Sequence, residues 1–319
     1  MTTTGKKLSG SAADKNSFLY KVKKYRVLLL MLLPAVLYYI IFHYIPMWGV
    51  LIAFKDYRVL KGILASDWVG LKHFRAFFGG RMFSSVVLNT LILNCYSLIF
   101  AFPLPLVFAL MLNEVRVDWF KKGVQTITYM PHFISTVVIV GIIQIFFTQN
   151  NGIVNNLIVK LGGQKIAFLI DPKWFRTLYV GSGVWQSFGY SSIIYIAALS
   201  GVSPELHEAA IVDGANIFQR MWNVDIPSVL PTFCILLIMR CGSIMSVGFE
   251  KVLLLQNNLN KSASEIISTF TYNIGLNSSG AMPQYSYGAA IGLFTSLVNM
   301  VLLLVVNTVT KKLSGSGLW

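Results

Sequence analysis

Residues 203–231 read SPELHEAAIVDGANIFQRMWNVDIPSVLP, a polar segment set between two strongly apolar runs. Ser203 is a favourable N-cap, Pro204 suits the first helical position, and Glu205 favours the positive end of the helix dipole. Gly214 can adopt the left-handed conformation that ends a helix. We therefore predict a short helix that starts after Ser203 and stops at Gly214.

A second short helix is predicted directly after this glycine. Asn216 can cap it, and Gln219, three residues later, can complete a capping-box pair. Pro227 and Pro231 then mark the entry into the next apolar run, because proline is tolerated near a helix start. A polar helix pair between two membrane spans is either a surface for a soluble partner or an amphipathic loop on the lipid surface. The local pattern leaves both interpretations open.

The composition indicates a membrane protein. The chain has 319 residues, of which 55% are hydrophobic and 12% are charged, and its mean hydropathy is +0.65. A soluble protein of this size is about a quarter charged. The apolar residues form long blocks, which are typical of membrane spans and not of a large soluble core.

The charge pattern argues against a nucleic-acid site, and the spacing of the cysteines and histidines argues against a metal site. The net charge is +14, but the basic residues are scattered between apolar blocks and form no continuous basic face, so we predict lipid headgroups and no nucleic acid as their partners. Cys95, Cys234 and Cys241 lie in apolar runs, and the four histidines are widely separated. Neither set has metal-ligand spacing, which predicts that the chain holds no metal.

Six apolar segments are long enough to cross the hydrocarbon layer, for which a helix needs roughly 20 residues. The predicted fold class is therefore an all-α polytopic membrane protein with six transmembrane helices. These helices divide the chain into an N-terminal tail (1–24), a six-helix domain (25–312) that contains the loop 203–231, and a C-terminal tail (313–319). The predicted spans are residues 27–44, 86–112, 129–147, 178–199, 229–247 and 287–309.

Basic clusters at both ends of the six-helix domain set the expected orientation. The positive-inside rule places such flanks in the cytoplasm, so both termini and the loop 203–231 are predicted to be cytoplasmic. Lys and Arg counted over all loops are nearly even, so this orientation depends on the two terminal clusters. The clusters are Lys21, Lys23, Lys24 and Arg26 before the first span and Lys311 and Lys312 after the last.

The loop 203–231 also carries a motif that resembles the EAA loop of the membrane permease subunits of ABC importers. The usual ending of that motif places a Leu between Ile and Pro, whereas here the two residues are adjacent. Stretches at 53–74, 119–135, 183–210 and 247–255 are similar to the carbohydrate branch of these importers, in particular to permeases for oligosaccharides or polysaccharide fragments. The residues that match the motif are Glu208, Ala209, Ala210, Gly214, Ile226, Pro227 and Pro231.

The resemblance implies a permease subunit of an ATP-driven importer that forms half of the path for a sugar. In that family the EAA loop forms cytoplasmic coupling helices that sit in a groove of the ATPase subunit, which implies this role for the matching residues. The implied partners are a second, non-identical permease chain, two ATP-binding cassette subunits, an extracellular solute-binding protein and the lipid bilayer of a bacterial inner (cytoplasmic) membrane. The chain has no G-x-x-x-x-G-K-[ST] phosphate loop, so ATP and Mg²⁺ are expected on the partner ATPase and no cofactor on this chain.

Polar and aromatic side chains within the predicted spans are candidates for lining the sugar path. Polar groups at membrane depth are costly unless they face protein or water, although each of them can instead bond a neighbouring helix. Arg240 could bind an acidic sugar such as a uronate, or pair with a carboxylate on the partner chain. Phe249 and Glu250 are candidates for an outer gate. The path candidates are Trp185, Gln186, Tyr190, Tyr195, Asn89, Asn94, Gln144 and Arg240.

Three alternatives remain to be distinguished from a sugar permease. A permease for a non-sugar solute would share the same motif. An ion-coupled secondary transporter would usually show intramembrane carboxylates, and none of the twelve acidic residues lies clearly in the middle of a span. A membrane-embedded enzyme would need paired carboxylates, a histidine cluster or a nucleophile beside a base, and the sequence contains no such pattern.

Overall fold

The computed structural model describes residues 21–22, 24–246, 248–277, 282–315 and 317–319. The predicted N-terminal tail therefore lies almost entirely outside the described residues. Val247, the predicted end of the fifth span, also lies outside them. The tail predicted at 313–319 begins inside the last helix, which runs to Ser314.

The described residues are predominantly helical. One short antiparallel ribbon pairs β1 (Lys55–Asp56) with β2 (Asp67–Trp68), with Lys55 opposite Trp68. The helices up to the middle of the chain are α1 (Arg26–Phe54), α2 (Gly62–Ala65), α3 (Lys72–Phe78), α4 (Phe83–Asn113), α5 (Asp118–Phe133), α6 (Thr136–Phe147) and α7 (Ile153–Lys160). Those that follow are α8 (Pro172–Leu199), α9 (Pro204–Val212), α10 (Ile217–Cys241), α11 (Phe249–Leu255), α12 (Lys261–Ser264), α13 (Ile267–Gly275) and α14 (Tyr285–Ser314).

Four of these helices are long and apolar enough to cross a membrane, namely α1, α4, α10 and α14, and a fifth span is possible if the bent pair α5 and α6 counts as one. The helix α8 is long enough, with 28 residues, but its many Gly and Ser residues and its basic start lower its hydropathy. The chain is therefore a multi-pass helical protein with four or five apolar spans among its described residues, and the sixth span stays a prediction.

The first span is longer than the predicted 27–44. Helix α1 continues through a π-helical turn at Ile40–Tyr44 and 3-10 turns at Ile45–Phe54. Pro46 lacks a backbone N–H, and these irregular turns carry the helix past it without the regular hydrogen bond that a proline cannot make. None of the residues of Arg26–Tyr39 is buried, so this part of α1 faces lipid or another chain.

The third span was predicted as one helix at 129–147, and this prediction is wrong. The chain bends by 99° between α5 and α6. Pro131 lies in the tight last turn of α5, and Ser135 starts a new helix because its Oγ accepts a hydrogen bond from the Val138 N–H. The 12 residues of α6 rise about 18 Å, which is less than the roughly 30 Å of the hydrocarbon layer.

Helix α8 lies at the centre of the packing. Its first half, with Phe175 and Leu178, packs against Leu93 of α4, Ile139 of α6 and Val252 of α11. Its second half contributes to another buried cluster, which is formed by Ala109, Leu110, Tyr195, Leu199 and Val229. Helices α4 and α10 therefore both lie against the second half of α8, and the candidate path residues Tyr190, Tyr195 and Arg240 come together there.

Candidate coupling segment and membrane cavity

Residues 203–225, called the elbow below, begin with helix α9. Pro204 occupies its first turn as predicted, while the Ser203 side chain makes no capping hydrogen bond. The helix ends in a Schellman motif, in which the Ala215 N–H donates to the Ala210 carbonyl (2.9 Å) and the Gly214 N–H to the Ile211 carbonyl (3.0 Å). Gly214 has φ +79°, so the predicted left-handed conformation is confirmed.

The second elbow helix starts as predicted but does not stop where it was expected to. The capping box is present, because the Gln219 N–H donates to Asn216 Oδ1 (2.9 Å) and the Asn216 N–H donates to Gln219 Oε1 (2.8 Å). The helix then continues to Cys241 as α10, through a π-helical turn at Met221–Asp225 that precedes Pro227. The prediction of a short second helix with a separate span from 229 is therefore wrong, because the prolines are accommodated inside one continuous helix.

One ion pair holds the elbow against α4, and a contact between a histidine and a carboxylate joins the two helices of the elbow. Arg220 is buried, and its Nη2 donates to Glu114 Oε2 at 3.0 Å, just after the end of α4. His207 Nε2 lies 3.3 Å from Oδ1 of the fully buried Asp225. Apart from that contact, the Asp225 carboxylate has no hydrogen-bond partner among the described residues. The sequence-based prediction missed these residues, since 106 positions separate Glu114 from Arg220.

The outer surface of the elbow is apolar and exposed. Val212 is 86% exposed, Phe218 80% and Trp222 72%, which is unusual for large apolar residues in a segment that lies outside the apolar blocks. The motif residues Glu208 and Ala209 are exposed beside them, Ala210 and Ile226 are half-buried, and Pro227 and Pro231 are exposed. We call the following residues the elbow patch: Leu206, Ile211, Val212, Ile217, Phe218 and Trp222.

A cavity of about 660 Å³ lies between α4, α8 and α10. It brings together three of the predicted path residues, Tyr190, Tyr195 and Arg240. Tyr195 is 2% exposed and belongs to the buried cluster of this region, whereas Arg240 is exposed. The cavity wall also contains the serines Ser97, Ser187, Ser191 and Ser243.

Tyr190 is held in place by the bend between α5 and α6. Its ring stacks on His132 with centroids 3.8 Å apart and planes 3° apart. The preceding Gly189 allows the two helices to approach closely, because a Cβ at this position would overlap the backbone of Thr128. Gln186, one turn earlier on α8, donates to the Ile134 carbonyl at 3.0 Å.

The other path candidates lie away from the cavity wall. Asn89 is buried and donates to the carbonyls of Ser262 (2.9 Å) and Glu265 (3.1 Å), and its Oδ1 accepts from Arg176 (3.1 Å). Asn94 is buried and donates to the carbonyl of Thr90 one turn earlier. Trp185 and Gln144 are exposed. Internal hydrogen bonding therefore accounts for the two asparagines and for Gln186, and a role of these residues in the path stays a prediction.

The gate candidates lie at the start of α11. The Phe249 ring lies 5.1 Å from that of Tyr272, and both residues line a second cavity of about 530 Å³ beside α13 and α14. Glu250 is exposed. Their role as a gate stays a prediction.

Lys251, the next residue along the chain, was not singled out by the sequence. Its side chain is buried. Its Nζ donates to the backbone carbonyl of Tyr179 (3.1 Å) and lies 5.0 Å from the centroid of the Tyr179 ring. Burial lowers the pKa of Lys251 to about 8, since desolvation disfavours the charged amine. Among the residues that the structure describes, no cluster of three or more His, Cys, Asp or Glu could hold a metal ion.

The model of a known protein family matches most of this chain. Residues 75–315 match the binding-protein-dependent transport system inner membrane component family. The chain belongs to this family. It is a membrane transport component and not an enzyme, and the resemblance seen in the loop 203–231 is confirmed.

Individual relatives extend the match over almost the whole chain. Protein LplB of Bacillus subtilis (strain 168) is 44% identical over 317 residues, which are 99% of this chain and 96% of the relative. The polygalacturonan/rhamnogalacturonan transport system permease protein YteP of the same organism is 42% identical over 305 residues, 96% of this chain and 94% of YteP. A chain in the crystal structure of a bacterial alginate ABC transporter, in complex with an alginate pentasaccharide-bound periplasmic protein, is 36% identical with a TM-score of 0.86, and the match covers 94% of this chain and 99% of that one.

Proposed function

We propose that this protein is a permease subunit of an ATP-driven ABC importer and forms half of the translocation path for an oligosaccharide or polysaccharide fragment. The observation that carries the proposal is the continuity of helix α10, which joins the elbow patch to the cavity wall. Phe218 and Arg240 lie on this helix, about 33 Å apart at a rise of 1.5 Å per residue. A displacement of the elbow therefore moves the wall of the cavity.

The proposed partners follow from the surfaces that the chain leaves exposed. The elbow patch would dock in one of two ATP-binding cassette subunits, which bind ATP and Mg²⁺, while this chain binds no cofactor. A second, non-identical permease would complete the path, and an extracellular solute-binding protein would deliver the sugar. The related alginate transporter was crystallised with a periplasmic protein bound to a pentasaccharide, which supports this arrangement.

The proposed topology has six membrane spans in a bacterial cytoplasmic membrane, with both termini and the elbow in the cytoplasm. Helix α8 and the bent pair α5 and α6 would supply the two spans that hydropathy does not identify. The buried contacts of α8 with α4 and α10 support the proposal that α8 is a span. A helix that is packed on both sides by apolar spans does not need a fully apolar surface of its own.

Site-directed cross-linking in the assembled transporter tests the role of the elbow. The natural thiols Cys95, Cys234 and Cys241 must first be replaced, because Cys95 is exposed. In that background Val212→Cys, which alters one of the most exposed residues of the elbow patch, should cross-link to the ATPase subunit, and the yield should change when ATP is added. Leu60→Cys is the matched control, since Leu60 is fully exposed but lies in the first loop, on the opposite side of the proposed topology. Cross-linking at Leu60 and none at Val212 would contradict the proposal.

A further inference from the structure

The side chain of Arg240 places a positive charge in a helix that is long and apolar enough to cross the membrane. In the part of the chain that the structure describes, it takes part in no ion pair and makes no side-chain hydrogen bond. A charge at membrane depth is costly unless it faces water, a ligand or an opposite charge. Arg240 is exposed and lies in the cavity wall, so whatever neutralises it must come from outside this chain.

The cavity has the size and the chemistry of a site for one or two sugar units. Its volume of about 660 Å³ is within the usual range of roughly 300–1,000 Å³ for small-molecule sites. The wall that contains Arg240 also carries the hydroxyl groups of Ser187, Ser191, Ser243 and Tyr190. Ser187 and Ser243 already donate to nearby backbone carbonyls, and all four hydroxyl oxygens can accept a hydrogen bond. Sugar hydroxyls need such groups, whereas a guanidinium binds a carboxylate through two parallel hydrogen bonds.

Two other cations lie beside the first half of α8, and within the described residues neither is paired with a carboxylate. Arg176 bonds the amide of Asn89 and not an acid. Lys251 bonds the Tyr179 carbonyl. The nearby Glu265 is already paired with Lys261 at 3.2 Å, so it does not neutralise either of them. Positive charges that no carboxylate neutralises attract anionic solutes and repel cationic ones.

We propose that this cavity is a binding site for a carboxylate-bearing sugar unit, a uronate, and that Arg240 holds its carboxylate while the surrounding serine and tyrosine hydroxyls bind the ring. The proposal rests on the proposed function, since it assumes that the cavity is part of a sugar path. It adds the charge of the cargo and the residue that recognises it. The competing explanation is that Arg240 pairs with a carboxylate of the second permease.

The test uses the complete transporter, with both permeases, the ATPase subunits and the binding protein, reconstituted in vesicles. Two labelled probes of equal length are compared, trigalacturonate and its methyl ester, which has the same sugar backbone without negative charge. Arg240→Gln should lower the uptake of trigalacturonate about tenfold or more, because a charge-assisted bond is lost, and should change the uptake of the ester less than about twofold. The uptake of trigalacturonate by Arg240→Lys should fall between that of Arg240→Gln and that of the unaltered protein. Lysine keeps the positive charge but cannot make the two parallel hydrogen bonds of a guanidinium.

Arg81→Gln is the matched control, because it removes one exposed arginine outside the cavity and should leave the uptake of both probes unchanged. Binding of trigalacturonate to the purified transporter without the binding protein gives a second measurement, in case the ester is not delivered. Equal effects of Arg240→Gln on both probes, or failure of that variant to assemble with the second permease, would overturn the inference and favour the pairing between chains. Uptake of neither probe by the unaltered transporter, nor of any other oligosaccharide, would instead refute the proposed function.

Discussion

The second half of the elbow and one side of the cavity wall belong to the same helix, α10, but the two regions are built in opposite ways. The elbow is defined by contacts between near neighbours in the chain, such as the capping box of Asn216 and Gln219 and the turn at Gly214. The cavity wall combines residues as distant as Ser97 and Ser243, which meet only because α4, α8 and α10 pack together. A locally built element keeps its shape while it moves, whereas a cavity between helices changes shape when one helix moves.

This contrast predicts that changes in the elbow uncouple transport, while changes in the cavity alter which solute is carried. The largest effect is expected for Gly214→Val. A β-branched residue is strongly disfavoured at φ +79°, at a cost of about 1–3 kcal/mol, so the two elbow helices can no longer keep their angle. We expect import by the assembled transporter to fall to about a tenth or less of its normal rate, while loaded binding protein still docks.

Gly123→Ala is the matched control for that experiment. Gly123 lies in α5, does not adopt a positive φ, and has no other atom within 4 Å of an added Cβ. Alanine is the better helix former, so import should stay normal in this variant. Normal import by the Gly214→Val variant would show that the elbow does not transmit the motion.

A smaller but still substantial effect is expected for Arg220→Ala, which breaks the tie between the elbow and α4. The side chains of Arg220 and Glu114 are 11% and 21% exposed, and removing one partner of a buried pair costs about 3–5 kcal/mol because the other charge stays unpaired. Thermal unfolding of the purified complex should therefore begin at a lower temperature. ATP hydrolysis should also become less dependent on loaded binding protein.

The double variant Arg220→Leu with Glu114→Leu separates the charge effect from loss of packing. Because it leaves no unpaired charge, it should be more stable than Arg220→Ala alone. If the double variant is at least as unstable as the single one, the ion pair is not what holds the elbow against α4.

The smallest effect is expected in the cavity, for Tyr190→Ala. This change removes an aromatic ring from the cavity wall, and the loss of one aromatic contact with a bound sugar should weaken binding by about 0.5–1.5 kcal/mol. The KM for uptake should rise about two- to tenfold, with the ratio of ATP hydrolysed to sugar imported unchanged. Tyr190→Phe, which keeps the ring, should stay close to normal. A change in that ratio in the alanine variant would contradict the separation of the two regions.

The outcome of the sequence-based predictions follows the same division. The start of both elbow helices, the left-handed Gly214 and the membership of the transport family could be predicted, because they depend on short-range patterns. The bend between α5 and α6 was missed, since the run at 129–147 is mostly apolar and was treated as one block, although Pro131 and the N-cap Ser135 mark the break. The continuity of α10 was missed because proline usually ends a helix, whereas a π-helical turn accommodates it here.

The sequence by itself determined that this is a multi-pass helical membrane protein of the binding-protein-dependent transport family with a polar elbow between two apolar runs. Hydrophobic block length and local capping are properties of neighbouring residues, so they can be found without a structure. Only the tertiary structure decided that Arg220 pairs with Glu114, that Asn89 and Asn94 are bonded internally, and that Arg240, Tyr190 and Tyr195 share one cavity. Such contacts depend on which faces of distant helices meet, and the long apolar helices of a membrane protein can pack in many ways that their sequences do not distinguish.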